Sequence, residues 1–140
     1  MTNLEVAPLI KAIHDSIKTQ GDSDLKDHHL TFAQSRVLVY LKDREDCQAT
    51  QKEIEDFLQV SHPTVTGIVS RMEANGIVTC RIDPRDKRNK IVQLTPEALS
   101  LSGEMDERVQ YLENRMLKGL SQEERETLVD LLQRVLHNVS

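Results

Sequence analysis

Apolar residues recur at three- and four-residue steps over most of this chain and at two-residue steps over one short stretch. Val6, Leu9, Ile10, Ile13 and Ile17 fall on one face of a helix. Gly21 to Asp27 is polar and acidic and predicts a loop. Thr31, with Gln34 three residues later, has the spacing of a capping box. It opens a helix whose apolar members are Val37, Leu38 and Leu41, with Phe32 and Tyr40 nearby. Thr50 and Glu53 repeat that signature ahead of Ile54, Phe57 and Leu58. Ser61 then caps a fourth helix, with Pro63 in its first turn, where a missing N–H costs little. Val65, Ile68, Val69 and Met72 form its inward face, and Asn75-Gly76 is a favourable stop.

After Gly76 the period changes. Ile77 to Ile82 and Ile91 to Leu94 are rich in β-branched residues and flank a charged tip containing Pro84, which predicts two strands joined by a hairpin. Thr95-Pro96 restarts a helix that Leu101, Met105, Val109, Leu112 and Met116 carry to Gly119. Ser121 and Glu124 cap a last helix with the stripe Leu128, Leu131, Leu132, Val135 and Leu136. The expected fold is mainly α with a small β-hairpin wing, in the order α-α-α-α-β-β-α-α: a winged helix-turn-helix. Residues 31–95 would form that lobe. Residues 1–30 and 96–140 would supply helices with an apolar face and little core of their own to cover, so a second copy of the chain is the simplest partner.

Composition supports helices packed on helices. Of the 140 residues 38% are hydrophobic but only 3% aromatic, so Leu, Ile, Val and Met must fill the core. Cys47 and Cys80 are too few for a secreted disulfide framework. Met1 to Lys18 carries Glu5, Lys11, His14 and Asp15, which fits neither a signal h-region nor a membrane span. A cytoplasmic location without membrane attachment is expected. A total charge of −5 looks wrong for a nucleic-acid binder until it is mapped. Ser61 to Val92 holds six cations against three anions, a local +3, which leaves −8 for the rest. A phosphate-facing patch would produce that asymmetry, and so would a solvated charged hairpin.

The helix after Ser61 separates the two. With its apolar residues inward, Pro63, Thr66, Gly67 and Ser70 point outward, flanked by Thr64 and Arg71 and preceded by Ser61 and His62. A plain surface helix would more often carry Lys–Glu pairs there. Short hydrogen-bonding side chains, and a glycine that admits a close approach, suit a helix laid in the major groove. The tip adds Arg85, Asp86, Lys87, Arg88 and Lys90, a compact cationic probe for a narrow minor groove. A pure phosphate sponge would not include Asp86; a carboxylate between arginines can hold a guanidinium in one direction.

Three segments carry a resemblance: Val60-Ser61-His62-Pro63-Thr64-Val65-Thr66, Glu73-Ala74-Asn75-Gly76-Ile77, and Asp83-Pro84-Arg85-Asp86-Lys87-Arg88 with the closing Leu94-Thr95. The run from Leu58 to Thr95 resembles the MarR family of bacterial transcription regulators. That resemblance implies a homodimer joined by its first and last helices on pseudo-palindromic operators. It implies recognition-helix contacts in the major groove, Arg88 in the minor groove and Asp86 steadying the wing arginines. The sequence departs from the family at Gln59, where many members have Gly in the turn, and at Ala98, where Gly often follows Leu-Thr. A left-handed, strained Gln59 is the expected consequence.

Family members commonly respond to a small anionic or phenolic ligand, a metal or an oxidant. The first helix has no Cys, Cys80 sits on an alternating strand as a buried inert thiol would, and Cys47 lies beside Glu45 and Asp46, so redox sensing is not indicated. His28, His29, Asp24 and Asp27 make a weak zinc-like cluster that reads better as an exposed acidic loop. An effector pocket near Phe32 to Tyr40 is the remaining expectation, and no cofactor is implied. No nucleophile elbow, Walker loop, nucleotide fingerprint or metalloprotease motif points to an enzyme. The rival reading is a winged-helix protein-interaction module without DNA binding, which the cationic wing argues against.

Overall fold

The computed structural model describes residues 5–24 and 30–140. The His28–His29 pair and Asp27 lie outside them, and among the described residues no group of three or more His, Cys, Asp or Glu could hold a metal. The elements in order are α1 (Val6–Asp24), α2 (Phe32–Lys42), a 3-10 turn (Glu45–Cys47), β1 (Gln48–Thr50), α3 (Gln51–Leu58) and α4 (His62–Ala74). They continue with β2 (Val78–Asp83), β3 (Asp86–Leu94), α5 (Pro96–Leu99), α6 (Ser102–Met116) and α7 (Gln122–Val139). None of the helices is long and apolar enough to cross a membrane, among the described residues. Two compact units divide the chain, Met1–Val109 and Gln110–Ser140.

In the first unit one apolar cluster joins Val37, Leu38 and Leu41 of α2, Ile54 of α3, the four inward residues of α4, and Val78, Val92 and Leu94 of the sheet. Met105 of α6 is fully buried in the same cluster. All three capping boxes form: Thr31 with Gln34, Thr50 with Glu53, and Ser121 with Glu124. Each supplies partners for backbone N–H groups that a helix start leaves orphaned. Glu53 also pairs with Arg44. The hydrogen bonds from Thr50 and the nearby guanidinium hold its carboxyl below the usual carboxylate range. A stacked ring pair, Tyr40 on Phe57 with centroids 4.3 Å apart, ties α2 to α3.

Outside the wing, four features differ from the sequence reading. β1 was not anticipated: its three residues pair antiparallel with β3, giving the strand order β1-β3-β2. Too short to show an alternation, it exists because β3 offers it an edge. The helix from Pro96 is broken into α5 and α6, for the hydroxyls of Ser100 and Ser102 donate to the carbonyls of Glu97 and Leu99. Serine back-bonding of this kind competes with the helical ladder. Cys80, expected to be buried, is half-buried.

The fourth difference is at Gly21, where a loop was expected and α1 instead continues to Asp24. The Asp22 carboxylate accepts the Phe32 backbone N–H at 2.8 Å, and the Phe32 side chain lies directly on Gly21. A Cβ at Gly21 would stand 2.6 Å from Phe32 Cβ and 2.7 Å from its Cγ. Gly21→Ala is therefore expected to destabilise the protein by about 1–3 kcal/mol, the usual cost of overpacking. Urea unfolding checks this, and an unchanged midpoint would mean that Phe32 yields freely.

Candidate nucleic-acid interface

Helix α3 ends at Gln59, whose φ of 57° and ψ of 44° are left-handed, as the missing turn glycine led us to expect. The Gln59 N–H closes α3 on the Glu55 carbonyl, and the chain turns sharply into α4. Ser61 Oγ accepts the Thr64 N–H and Pro63 occupies the first turn. Val65, Ile68, Val69 and Met72 are buried, so the outward face follows from helical spacing. Ser61, His62, Pro63, Thr64, Ser70 and Arg71 are exposed there, while Thr66 and Gly67 are half-buried. Nothing lies within 4 Å of where a Gly67 Cβ would stand, so no packing inside the protein calls for a glycine.

Two residues that the sequence reading passed over organise this face. Gln51, buried in the first turn of α3, donates from Nε2 to Thr66 Oγ1 at 2.8 Å. Thr66 Oγ1 in turn donates to the His62 carbonyl at 3.0 Å, so its hydroxyl is engaged within the protein. Glu55, one turn after Gln51, meets His62 Nδ1 with Oε2 at 2.6 Å. Their four-residue spacing on α3 was the available signal. What could not be read was that this face of α3 abuts the start of α4.

The wing is tighter than expected. Only Pro84 and Arg85 form its turn, and Asp86 to Lys90 belong to β3. Ile82 pairs with Lys90 but Asp83 pairs with Asp86, so Lys87, Arg88 and Asn89 bulge out of the ladder. Asp86 organises this bulge: its Oδ1 accepts the Arg88 backbone N–H at 3.0 Å and Nε at 3.1 Å, while Oδ2 accepts Nη2 at 3.1 Å. The guanidinium beside it holds the Asp86 carboxyl below its ordinary range. Asp83 Oδ1 likewise accepts the Arg85 backbone N–H at 2.9 Å. Arg85, Lys87 and Arg88 are exposed; Asp86 and Lys90 are half-buried. Arg81, not singled out beforehand, forks from β2 across the sheet to Gln93 on β3 and Gln48 on β1.

An exposed ion pair such as Asp86–Arg88 adds little stability. Its effect is directional: a side chain with much rotamer freedom to lose is held in one pose. The pair leaves Nη1 uncommitted, and the Arg88 side chain is 89% exposed, open to an outside acceptor.

Burial and the neighbouring Glu73 push the Cys80 thiol up to about 11, which keeps it protonated. Cys47 Sγ points at the Lys42 carbonyl, 3.8 Å away. A groove opens at the base of the wing, lined by Arg44, Glu53, Arg81, Asp83 and Arg85 among others, and none of residues 32–40 lines it.

Comparison with known proteins agrees with this geometry. A profile described as the MarR family matches residues 28–89. The uncharacterized HTH-type transcriptional regulator YwoH of Bacillus subtilis (strain 168) is 38% identical over 131 residues, covering 91% of this chain and 93% of that protein. Among solved structures, the S. aureus MepR–DNA complex is similar at a TM-score of 0.86 and 25% identity, over 99% of this chain and 100% of that one. A MarR family transcriptional regulator from Listeria monocytogenes complexed with 26mer DNA shares the fold at a TM-score of 0.81 and 22% identity, over 97% and 89% of the two chains. With a relative of this identity along almost its whole length, a profile match across the helix-turn-helix and most of the wing, and the fold to go with them, this chain belongs to the MarR family of transcription regulators.

Proposed function

We propose that this regulator is a ligand-responsive repressor that binds pseudo-palindromic duplex DNA as a homodimer and acts by binding, not by catalysis. Helix α4 enters the major groove with Ser61, His62, Pro63, Thr64, Thr66, Gly67, Ser70 and Arg71. The wing follows the backbone into the minor groove with Arg85, Lys87, Arg88 and Lys90, and Asp86 sets the pose of Arg88. The observation that carries this is the Asp86–Arg88 pair, a guanidinium aimed by two bonds on a bulge that faces solvent. Residues 31–95 serve as the reading lobe, and residues 1–30 and 96–140 join two copies so that the reading helices lie roughly 34 Å apart, one duplex turn.

A small-molecule effector received near Phe32 to Tyr40 would alter that separation and release the DNA. The protein would then act in the cytoplasm, where its operators are.

Selection from a random duplex library tests the reading. A palindromic consensus bound by a dimer is expected, with affinity that falls steeply as salt rises. No enrichment at low salt, with effectors removed, would refute it. Gly67 offers a sharper check. Gly67→Ala is expected to stabilise the fold by about 0.5–1 kcal/mol, since a helix interior favours Ala and the space is open. The same change should weaken operator binding, because the added methyl meets the DNA. Thermal unfolding and fluorescence anisotropy read the two effects separately, and unchanged affinity would remove Gly67 from the interface.

A further inference from the structure

The recognition helix begins with a histidine whose two ring nitrogens have different surroundings. His62 Nδ1 faces Glu55 Oε2 at 2.6 Å, and the Glu55 side chain is only 12% exposed whereas that of His62 is 71% exposed. A bare nitrogen and a carboxylate oxygen would repel at that distance, so the proton between them sits on Nδ1. The neighbouring Gln51 amide agrees. One of its hydrogens goes to Thr66 Oγ1 at 2.8 Å, the other faces Glu55 Oε2 at 3.5 Å, and neither is left to give Nδ1 a donor. The 3.3 Å approach of Gln51 Nε2 to Nδ1 is then a contact without a hydrogen bond.

We infer that Glu55 is a specificity-determining positioning residue that locks His62 as the Nδ1–H tautomer, so that the neutral ring presents a bare Nε2 acceptor outward. In the major groove an acceptor matches the amino donors of adenine N6 and cytosine N4, and it repels the O6 and N7 of guanine and the O4 of thymine. Without the carboxylate the ring would be free to put its proton on Nε2 and select the opposite bases. The inference rests on the DNA-binding reading above, since it concerns which base His62 meets.

Two measurements test it, both at pH 8.5, above the range in which imidazoles ordinarily charge. Long-range proton–nitrogen spectra of the free protein, with His62 assigned from His62→Ala, should show Nδ1 protonated and Nε2 bare in wild type and in Glu55→Gln, which keeps an acceptor. A ring protonated on Nε2 would overturn the inference whatever the DNA result. In duplex selection, one base pair per half-site should prefer A or C roughly tenfold, the usual scale of a single mismatch. His62→Ala and Glu55→Ala should flatten that position alone, and Glu55→Gln should restore it, with the salt slope unchanged throughout. A Glu55→Ala profile identical to wild type, or weakened evenly at all positions, would overturn the inference and leave the regulator standing. No enrichment by the wild-type protein would overturn both.

Discussion

Replacing Leu132 with Asp is expected to split the protein into monomers and to weaken operator binding by about a hundredfold or more. Along α7, Leu131, Leu132, Val135 and Leu136 are each 36–48% exposed, and along α1 Val6, Leu9, Ile10 and Ile13 are 40–59% exposed. Runs of exposed Leu, Ile and Val at helical spacing are uncommon on a monomer and mark an association surface. Each such side chain, once fully covered, contributes roughly 1.5–3 kcal/mol, and a carboxylate in its place must be desolvated without a partner. Two half-sites held together bind about 10²–10⁴ times better than one, so losing the dimer loses that factor. Sedimentation equilibrium and anisotropy measure the two effects, with circular dichroism to establish that the helices persist. A variant that stays dimeric at micromolar concentration would show that the exposed face of α7 has another purpose.

Arg88→Ala is expected to lower operator affinity about tenfold to a hundredfold and to reduce the salt slope by about one. The magnitude follows from where Arg88 sits. Asp86 has already removed much of its rotamer freedom, so contact with DNA costs less ordering than a free arginine would. The bulge of Lys87 to Asn89 carries it clear of the ladder. Stability should hardly change, since the pair is exposed and worth little to the fold. Anisotropy across a salt series, beside thermal unfolding, separates the two readouts. Unchanged affinity with an unchanged slope would mean that the wing does not touch DNA.

Much of the candidate site was legible because it depends on local rules. The outward face of α4 followed from the spacing of Val65, Ile68, Val69 and Met72, whereas the left-handed turn was implied by the family resemblance, in which many members have Gly where Gln59 stands. That Asp86 could hold a guanidinium was legible from its place between arginines; that the guanidinium is that of Arg88 is shown by the hydrogen bonds. The roles of Gln51 and Glu55 were not legible, because their partners lie 7 to 15 residues away on another helix and only the turn at Gln59 brings the two faces together. The tip was drawn too long for a related reason. Asp86 to Lys90 is polar, and its strand state is imposed by pairing with β2.

The sequence by itself determined the caps, the helical periods, the hairpin and the concentration of cations in it, since each arises between residues a few positions apart. Tertiary structure decided the rest. It added β1, which has no pattern of its own and forms only on the edge of β3. It extended α1 past Gly21 because Phe32 packs there. It also chose which polar side chains of α4 meet solvent and which are held by α3. Helical period and capping are near-neighbour effects written into composition; edge pairing and helix-to-helix hydrogen bonds depend on distant residues meeting, which no local pattern encodes.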